Sequence, residues 1–289
     1  MIYMPPQTPA PPSHVKRILI TGNAGYIGSH VMQHLQQSAQ YEIHGLDLVM
    51  PQQPCHRQWR RDIRRPDQIP NLEFDTVIHL AALVSVADSM QDPEGYYNTN
   101  VLGTQNLLTH VRCQNFIFAS TGSIGTGLNP YAASKHQAEV LVQQHCERHN
   151  IAWSTFRFYN VLGSLGFAPS NRQGLWHNLV DATRTGEFDI LGTDYDTPDG
   201  TALRDYVHVG DIVQAIEQAI TDPAQGTEYL GTGQARSVLE IIRLFQTVNQ
   251  VSFATRSLPR RSGDPARCVL DQPSRYFASS YTAADLVRL

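Results

Sequence analysis

The chain lacks the features that mark export, membrane insertion or nucleic-acid binding. It has no run of about 18 apolar residues, the length a helix needs to cross a bilayer, so no spanning segment is expected. Its only cysteines are Cys55, Cys113, Cys146 and Cys268, far apart and without C-x-x-C spacing. That pattern excludes a disulfide frame and a cysteine zinc site, so reduced thiols, no metal and a cytoplasmic setting are expected. The formal charge of −4 offers no basic field to attract nucleic acid, and no such partner is expected. Residues 1–14 hold Pro5, Pro6, Pro9, Pro11 and Pro12 but no continuous apolar core, which favours a flexible tail over a signal peptide.

What is present points to a globular α/β protein. With 289 residues, 41% of them hydrophobic, the chain can build one large or two unequal domains around a sizeable core. Strand-like runs are expected at Arg17–Thr21, Tyr41–Asp47, Thr76–Leu80, Asn115–Ser120 and Ala152–Phe158, with helices at Ile27–Gln37, Tyr96–Val111 and Pro130–Asn150. Strands alternating with helices of this length imply a doubly wound parallel sheet of Rossmann type. The pattern changes after Leu162, and a smaller α/β lobe is expected over 163–289, with later segments free to return to the sheet domain of 15–162. In that lobe a strand is expected at Phe188–Gly192 and a helix at Val209–Thr221, and Ser237 to Glu240 has capping-box spacing ahead of another helix.

Gly22, Gly25 and Gly28 lie between the first strand and its helix, and Asp47 closes the second strand. Such glycines permit the turn, the approach of a pyrophosphate and close helix–strand packing, while the helix N-terminus attracts the anion. The carboxylate would bind ribose hydroxyls, so NAD is expected rather than NADP. Tyr131 and Lys135 are four apart, one turn on a helix. A nearby ammonium and a positive nicotinamide ring would lower the phenol pKa from about 10 and make Tyr131 a general base. Ser120-Thr121-Gly122-Ser123 ends the preceding strand and offers hydroxyls to the same substrate oxygen.

On these residues the chain resembles the extended short-chain dehydrogenase/reductases, in particular their UDP-glucose 4-epimerase branch. The likeness rests on residues 21–30 (TGNAGYIGSH), 77–83 (VIHLAAL), 100–104 (NVLGT), Tyr131-x-x-x-Lys135 and Arg157-Phe-Tyr-Asn160. Its most specific stretch is 192–209 (GTDYDTPDGTALRDYVHV), with Arg260-Arg-Ser-Gly-Asp264 near the C-terminus. The resemblance implies NAD held by Gly22, Gly25, Tyr26, Ile27, Gly28 and Asp47, with Asp62 and Ile63 beside the adenine. Leu80, Ala81, Ala82, Asn100 and Tyr159 would complete the cofactor wall. Thr121, Tyr131 and Lys135 would be catalytic, with Ser123 as a substitute for Thr121. Asn160, Asn178, Leu179, Arg204, Tyr206, Arg261 and Asp264 match contacts to a nucleotide-sugar, and the arginines suit diphosphate clamps.

The resemblance further implies a homodimer built on the helices over 96–111 and 130–150, and transient oxidation at C4 of a UDP-hexose. Cys268 matches a pocket position where a small residue accompanies N-acetylated sugars; a buried cysteine of no consequence is the alternative. Relatives that remove water carry a carboxylate pair after the catalytic Ser/Thr, whereas Gly122 and Ser123 follow Thr121 here. The chain departs from the pattern in the nine residues between Thr121 and Tyr131, in Leu191 at the uracil position and in its end at Leu289. A reductase, a uronate epimerase or a non-catalytic dinucleotide-binding protein are the competing readings.

Overall fold

A computed structural model describes residues 14–126, 129–166, 174–271 and 277–289; the proline-rich stretch lies outside them. Strands β1 (Lys16–Thr21), β2 (Tyr41–Asp47), β3 (Arg57–Arg60), β4 (Glu73–His79), β5 (Arg112–Thr121) and β6 (Ala152–Phe158) form the first part of the chain. Helix α1 (Tyr26–Leu35) links β1 to β2. Helices α2 (Val86–Gln91) and α3 (Pro93–Tyr96), a π-helical turn (Tyr97–Leu102) and α4 (Gly103–His110) link β4 to β5, and α5 (Pro130–His149) links β5 to β6.

The rest comprises β7 (Asn160–Leu162), α6 (Leu175–Thr185), β8 (Glu187–Leu191), β9 (Leu203–His208), α7 (Val209–Thr221), β10 (Gly226–Leu230), β11 (Ala235–Ser237), α8 (Val238–Asn249), β12 (Ala254–Leu258) and β13 (Arg267–Cys268). Seven strands make one parallel sheet in the order β10-β6-β5-β4-β1-β2-β3. The strand order reverses between β1 and β4, which opens a crevice at their carboxyl ends. This is the doubly wound Rossmann-type α/β fold expected.

Side-chain alternation in β1 builds both layers of the core. Ile18 and Ile20 join Val31, Ile43, Ile117, Phe156, Val213 and Ile216 on the α1–α7 side. Leu19 joins Val77, Phe116, Phe118, Leu107 and Val142 on the α4–α5 side. A third cluster, with Trp176, Phe188, Tyr206, Ile241 and Phe245, fills the smaller lobe. Two elements of the later chain serve the sheet: α7 packs beside α1, and β10 pairs with β6.

Helix α5 carries the expected catalytic pair, and its N-terminus is firmly set. Asn129 caps it by accepting the Ala132 N–H at 2.8 Å, Pro130 starts it, and Asn150 ends it in the left-handed region. Glu139 anchors the buried face to β6 through two bonds from Arg157, at 2.8 and 2.6 Å.

Candidate active site

A continuous cleft of about 690 Å³ follows the carboxyl edge of the sheet from Asp47 to Cys268. At one end the chain leaves β1 at Gly22 with φ +72°, and a Cβ there would meet the Ala81 nitrogen at 2.6 Å. A Cβ at Gly28 would overlap the Gly22 carbonyl oxygen, so α1 rests directly on the turn. Gly25 occupies the N-cap with no side-chain cap, leaving the first-turn N–H groups of Tyr26 and Ile27 for a ligand. These glycine-only approaches, the open helix terminus and the acid closing β2 fit a dinucleotide pyrophosphate and its ribose.

Asp47 faces the cleft and accepts the N–H of Ala24 at 3.0 Å and of Val49 at 3.2 Å. Asp62 and Ile63 also line this end, and bonds from the Arg64 guanidinium hold Asp62 below the usual carboxylate range.

Leu80, Ala81 and Ala82 form the wall between the two ends. A buried chain of hydrogen bonds holds it. Thr21 Oγ1 accepts from the Ala81 N–H at 3.2 Å and lies 2.7 Å from His79 Nδ1. His79 Nε2 lies 2.9 Å from Thr104 Oγ1, which donates to the Asn100 carbonyl at 2.7 Å. Because Thr104 spends its proton there, its oxygen must accept from Nε2–H, which leaves Nδ1 to accept from Thr21. Burial pushes the His79 pKa down to about 3, consistent with the neutral ring this order requires.

Five of the expected contacts lie off the cleft wall. The Asn100 amide is saturated by Leu83 N–H, Leu83 O and Ser134 Oγ at 2.9, 3.0 and 2.9 Å, so it shapes the wall from behind. Leu179 and Tyr206 belong to the lobe's apolar core, where the 3.6-residue period of α6 and the pleat of β9 direct them. Asn178, on the outer face of α6, and Arg261 are exposed. The neighbouring Arg260 pairs instead with Asp194 and stacks on Tyr195.

At the far end, Thr121 and Ser123 place their hydroxyl oxygens 2.9 Å apart beside Tyr131 and Lys135, all on the cleft wall. The expected acidification of the phenol is not what the protein's own groups produce. Burial pushes the Tyr131 pKa up to about 12, against a hydrogen bond with Thr121 that lowers it. Burial likewise pushes Lys135 down to about 7, opposed by Glu139. Its ammonium sits 4.2 Å from the centre of the Phe118 ring. Desolvation outweighs the Thr121 hydrogen bond, so an acidic phenol needs a positive charge brought into the cleft.

The cleft wall beyond Thr121 and Tyr131 is assembled by β9 and β13. Arg204 donates to Asp264 at 2.5 Å, and Cys268 sits opposite Arg204 in register. Tyr159 and Asn160 complete this wall; a Cβ at Gly122 would meet the Tyr159 ring at 2.7 Å. Two residues outside the expected set organise the site. Asp205 is fully buried and accepts from Thr232 N–H, Thr232 Oγ1, Gly233 N–H and Leu270 N–H, joining three segments behind the cleft. Asn129 adds to its capping role a bond to the Gly263 carbonyl at 3.3 Å, tying the start of α5 to the Asp264 segment. Asn before Pro was a readable cap signal; the Asp205 partners lie far along the chain and left none.

The sequence profile of the NAD dependent epimerase/dehydratase family matches residues 18–230. The chain belongs to that family. Among curated relatives of this epimerase/dehydratase, the UDP-glucose 4-epimerase of Haemophilus influenzae is 29% identical, covering 88% of this chain and 89% of its own. The UDP-glucose 4-epimerase of Neisseria gonorrhoeae is 31% identical, with 89% of each chain covered. The crystal structure of Bifidobacterium longum UDP-glucose 4-epimerase with NAD+ and UDP superposes with a TM-score of 0.79 at 25% identity. It covers 94% of this chain and 96% of its own.

Proposed function

We propose that this protein is an NAD-dependent UDP-hexose 4-epimerase that interconverts UDP-glucose and UDP-galactose, with N-acetylated forms as further substrates. The observation that carries the reading is one cleft joining the glycine turn at Gly22–Gly28 to the Thr121–Tyr131–Lys135 constellation. The absence of a carboxylate pair after Thr121 separates it from dehydration, which needs an acid and a base at neighbouring carbons. The curated relatives named UDP-glucose 4-epimerase support the same substrate class.

When bound, NAD supplies the hydride acceptor and donor for the sugar C4. Tyr131 Oη takes the proton of the C4 hydroxyl and later returns it. Thr121 Oγ1 orients that hydroxyl, and Ser123 Oγ stands ready as a second partner. The Lys135 ammonium, presented one helical turn away, stabilises the phenolate and holds the nicotinamide ribose. Arg204 receives the diphosphate with a charge-assisted fork, oriented by Asp264. The 4-keto sugar turns about its diphosphate link before reduction on its other face, so net redox is zero and no external reductant is consumed.

Conversion of UDP-galactose to UDP-glucose by the purified protein, with no added reductant, tests the proposal. Tyr131→Phe should abolish it by about 10²-fold or more while leaving NAD bound; persistence of conversion in that variant rejects the assigned base. A cytoplasmic homodimer completes the reading. Four unpaired thiols support the compartment. The exposed Met90, Tyr97, Leu102 and Val140 support an interface on α2, the π turn and α5; a monomer mass by light scattering would reject it.

A further inference from the structure

The segment 277–289 is anchored at both ends and carries an aromatic ring between the anchors. Its first half is fixed to α7, where the buried Asp211 accepts from Ser279 Oγ at 2.7 Å and from the Ser280 N–H at 2.9 Å. Its second half is fixed to the smaller lobe. Leu286 and Val287 join that core, and Asn249 of α8 bonds the Val287 carbonyl at 2.7 Å and the Leu289 N–H at 3.0 Å. Between these anchors the Tyr281 ring lies face to face with His208, centroids 3.7 Å apart and planes inclined by 23°. His208 ends β9 and caps α7, accepting the Gly210 N–H through Nδ1 at 3.0 Å, which fixes its ring. That ring bears on Gly163, just past β7, where φ is +88° and a Cβ would overlap the imidazole. The Gly163 carbonyl in turn accepts from Tyr26 Oη at 2.5 Å.

Tyr26 opens α1 and lines the cleft beside the glycine turn, while Asn160, Val161 and Leu162 line it from β7. The Tyr26–Gly163 bond therefore joins two parts of the cleft wall, and the stacked Tyr281 and His208 rings back its acceptor. We propose that Tyr281 is a positioning residue for dinucleotide retention, acting through His208 and Gly163 to hold Tyr26 and the start of α1 against β7. This role rests on the dinucleotide reading of the glycine turn and adds to it a residue outside the cleft lining. A single hydrogen bond is a narrow link, because it weakens steeply once its carbonyl tilts away. Loss of the aromatic stack removes what blocks that tilt. Walls that part more often release a bound molecule sooner, so the effect belongs in the dissociation rate.

The rate at which radiolabelled NAD leaves the full-length protein, chased with excess unlabelled NAD, tests it. Tyr281→Ala should release NAD about tenfold faster or more, whereas Tyr281→Phe keeps the stacked ring and should stay within about threefold of wild type. Tyr281→Leu fills the space without the flat face and should also release NAD faster, which separates positioning from loss of fold. Tyr26→Phe deletes the bonding hydroxyl and should speed release as well. Adding Tyr281→Ala to it should speed release no further, because both changes break one link. Release at the wild-type rate in either Tyr281→Ala or Tyr281→Leu overturns this inference alone, as do effects that multiply in the double variant. Wild-type protein that takes up no NAD overturns the cofactor reading as well.

Discussion

Lys135, the proposed partner of Tyr131, is buried at a cost to the fold, and Lys135→Met exposes that cost. The side chain is 3% exposed, and burial takes its pKa from 10.5 to about 7. A folded-state pKa below the unfolded value means that the unfolded chain holds the proton across that interval. Stability therefore rises with pH between about 7 and 10.5 and is penalised in full below both values. At 1.36 kcal/mol per pH unit the penalty at pH 7 is roughly 4 kcal/mol, and the lost cation–π contact with Phe118 offsets about 1 of it.

Methionine matches the aliphatic stem without the charge, so Lys135→Met should be roughly 3 kcal/mol more stable at pH 7 and catalytically dead. Urea unfolding of nucleotide-free wild type and variant at pH 6 to 9.5 reads this directly. The variant's advantage should shrink as pH climbs, by up to about 1.4 kcal/mol per unit above the folded pKa. Equal stability at pH 7, or an advantage that does not change with pH, refutes the claim that desolvation governs this lysine.

Two other substitutions probe the ends of the cleft. Gly28→Ala puts a methyl onto the Gly22 carbonyl, where neither backbone can yield; it should cost about 1–3 kcal/mol in thermal unfolding and remove NAD retention. Cys268→Tyr places a ring opposite Arg204 on the wall proposed to hold the sugar and should lower kcat/KM for UDP-GalNAc by about 10–200-fold, with UDP-galactose turnover kept.

Local pattern made much of this molecule readable, and distance along the chain hid the rest. The bounds of β2, β6 and α7 match their sequence signals because alternating or 3.6-residue apolar spacing runs to each end. The Ser237–Glu240 capping box forms as its spacing implied. Residues 96–111, read as one helix, contain a π turn and a separate α4, since one extra residue in a turn barely changes the apolar period. Strand β3, Arg-Gln-Trp-Arg, has no apolar run to announce an edge strand. At the cleft, the pairing of Tyr131 with Lys135 on one helix face was legible from spacing, and the placing of Thr121 beside them from the hydroxyl run that ends its strand. The environment that sets their acidity was not, because it depends on how many other side chains bury them.

Strand β10 also governs when this fold can be completed. The outer neighbour of β6 is supplied only after β7, α6, β8, β9 and α7 have been made. During synthesis the Ala152–Phe158 edge therefore waits, unpaired on one side, until about half of the remaining chain has followed. A fragment cut at Leu162 would keep the whole glycine turn and the helix of Tyr131 and Lys135, yet present that open edge to any passing strand. Such a piece should aggregate rather than serve as a free-standing nucleotide-binding unit.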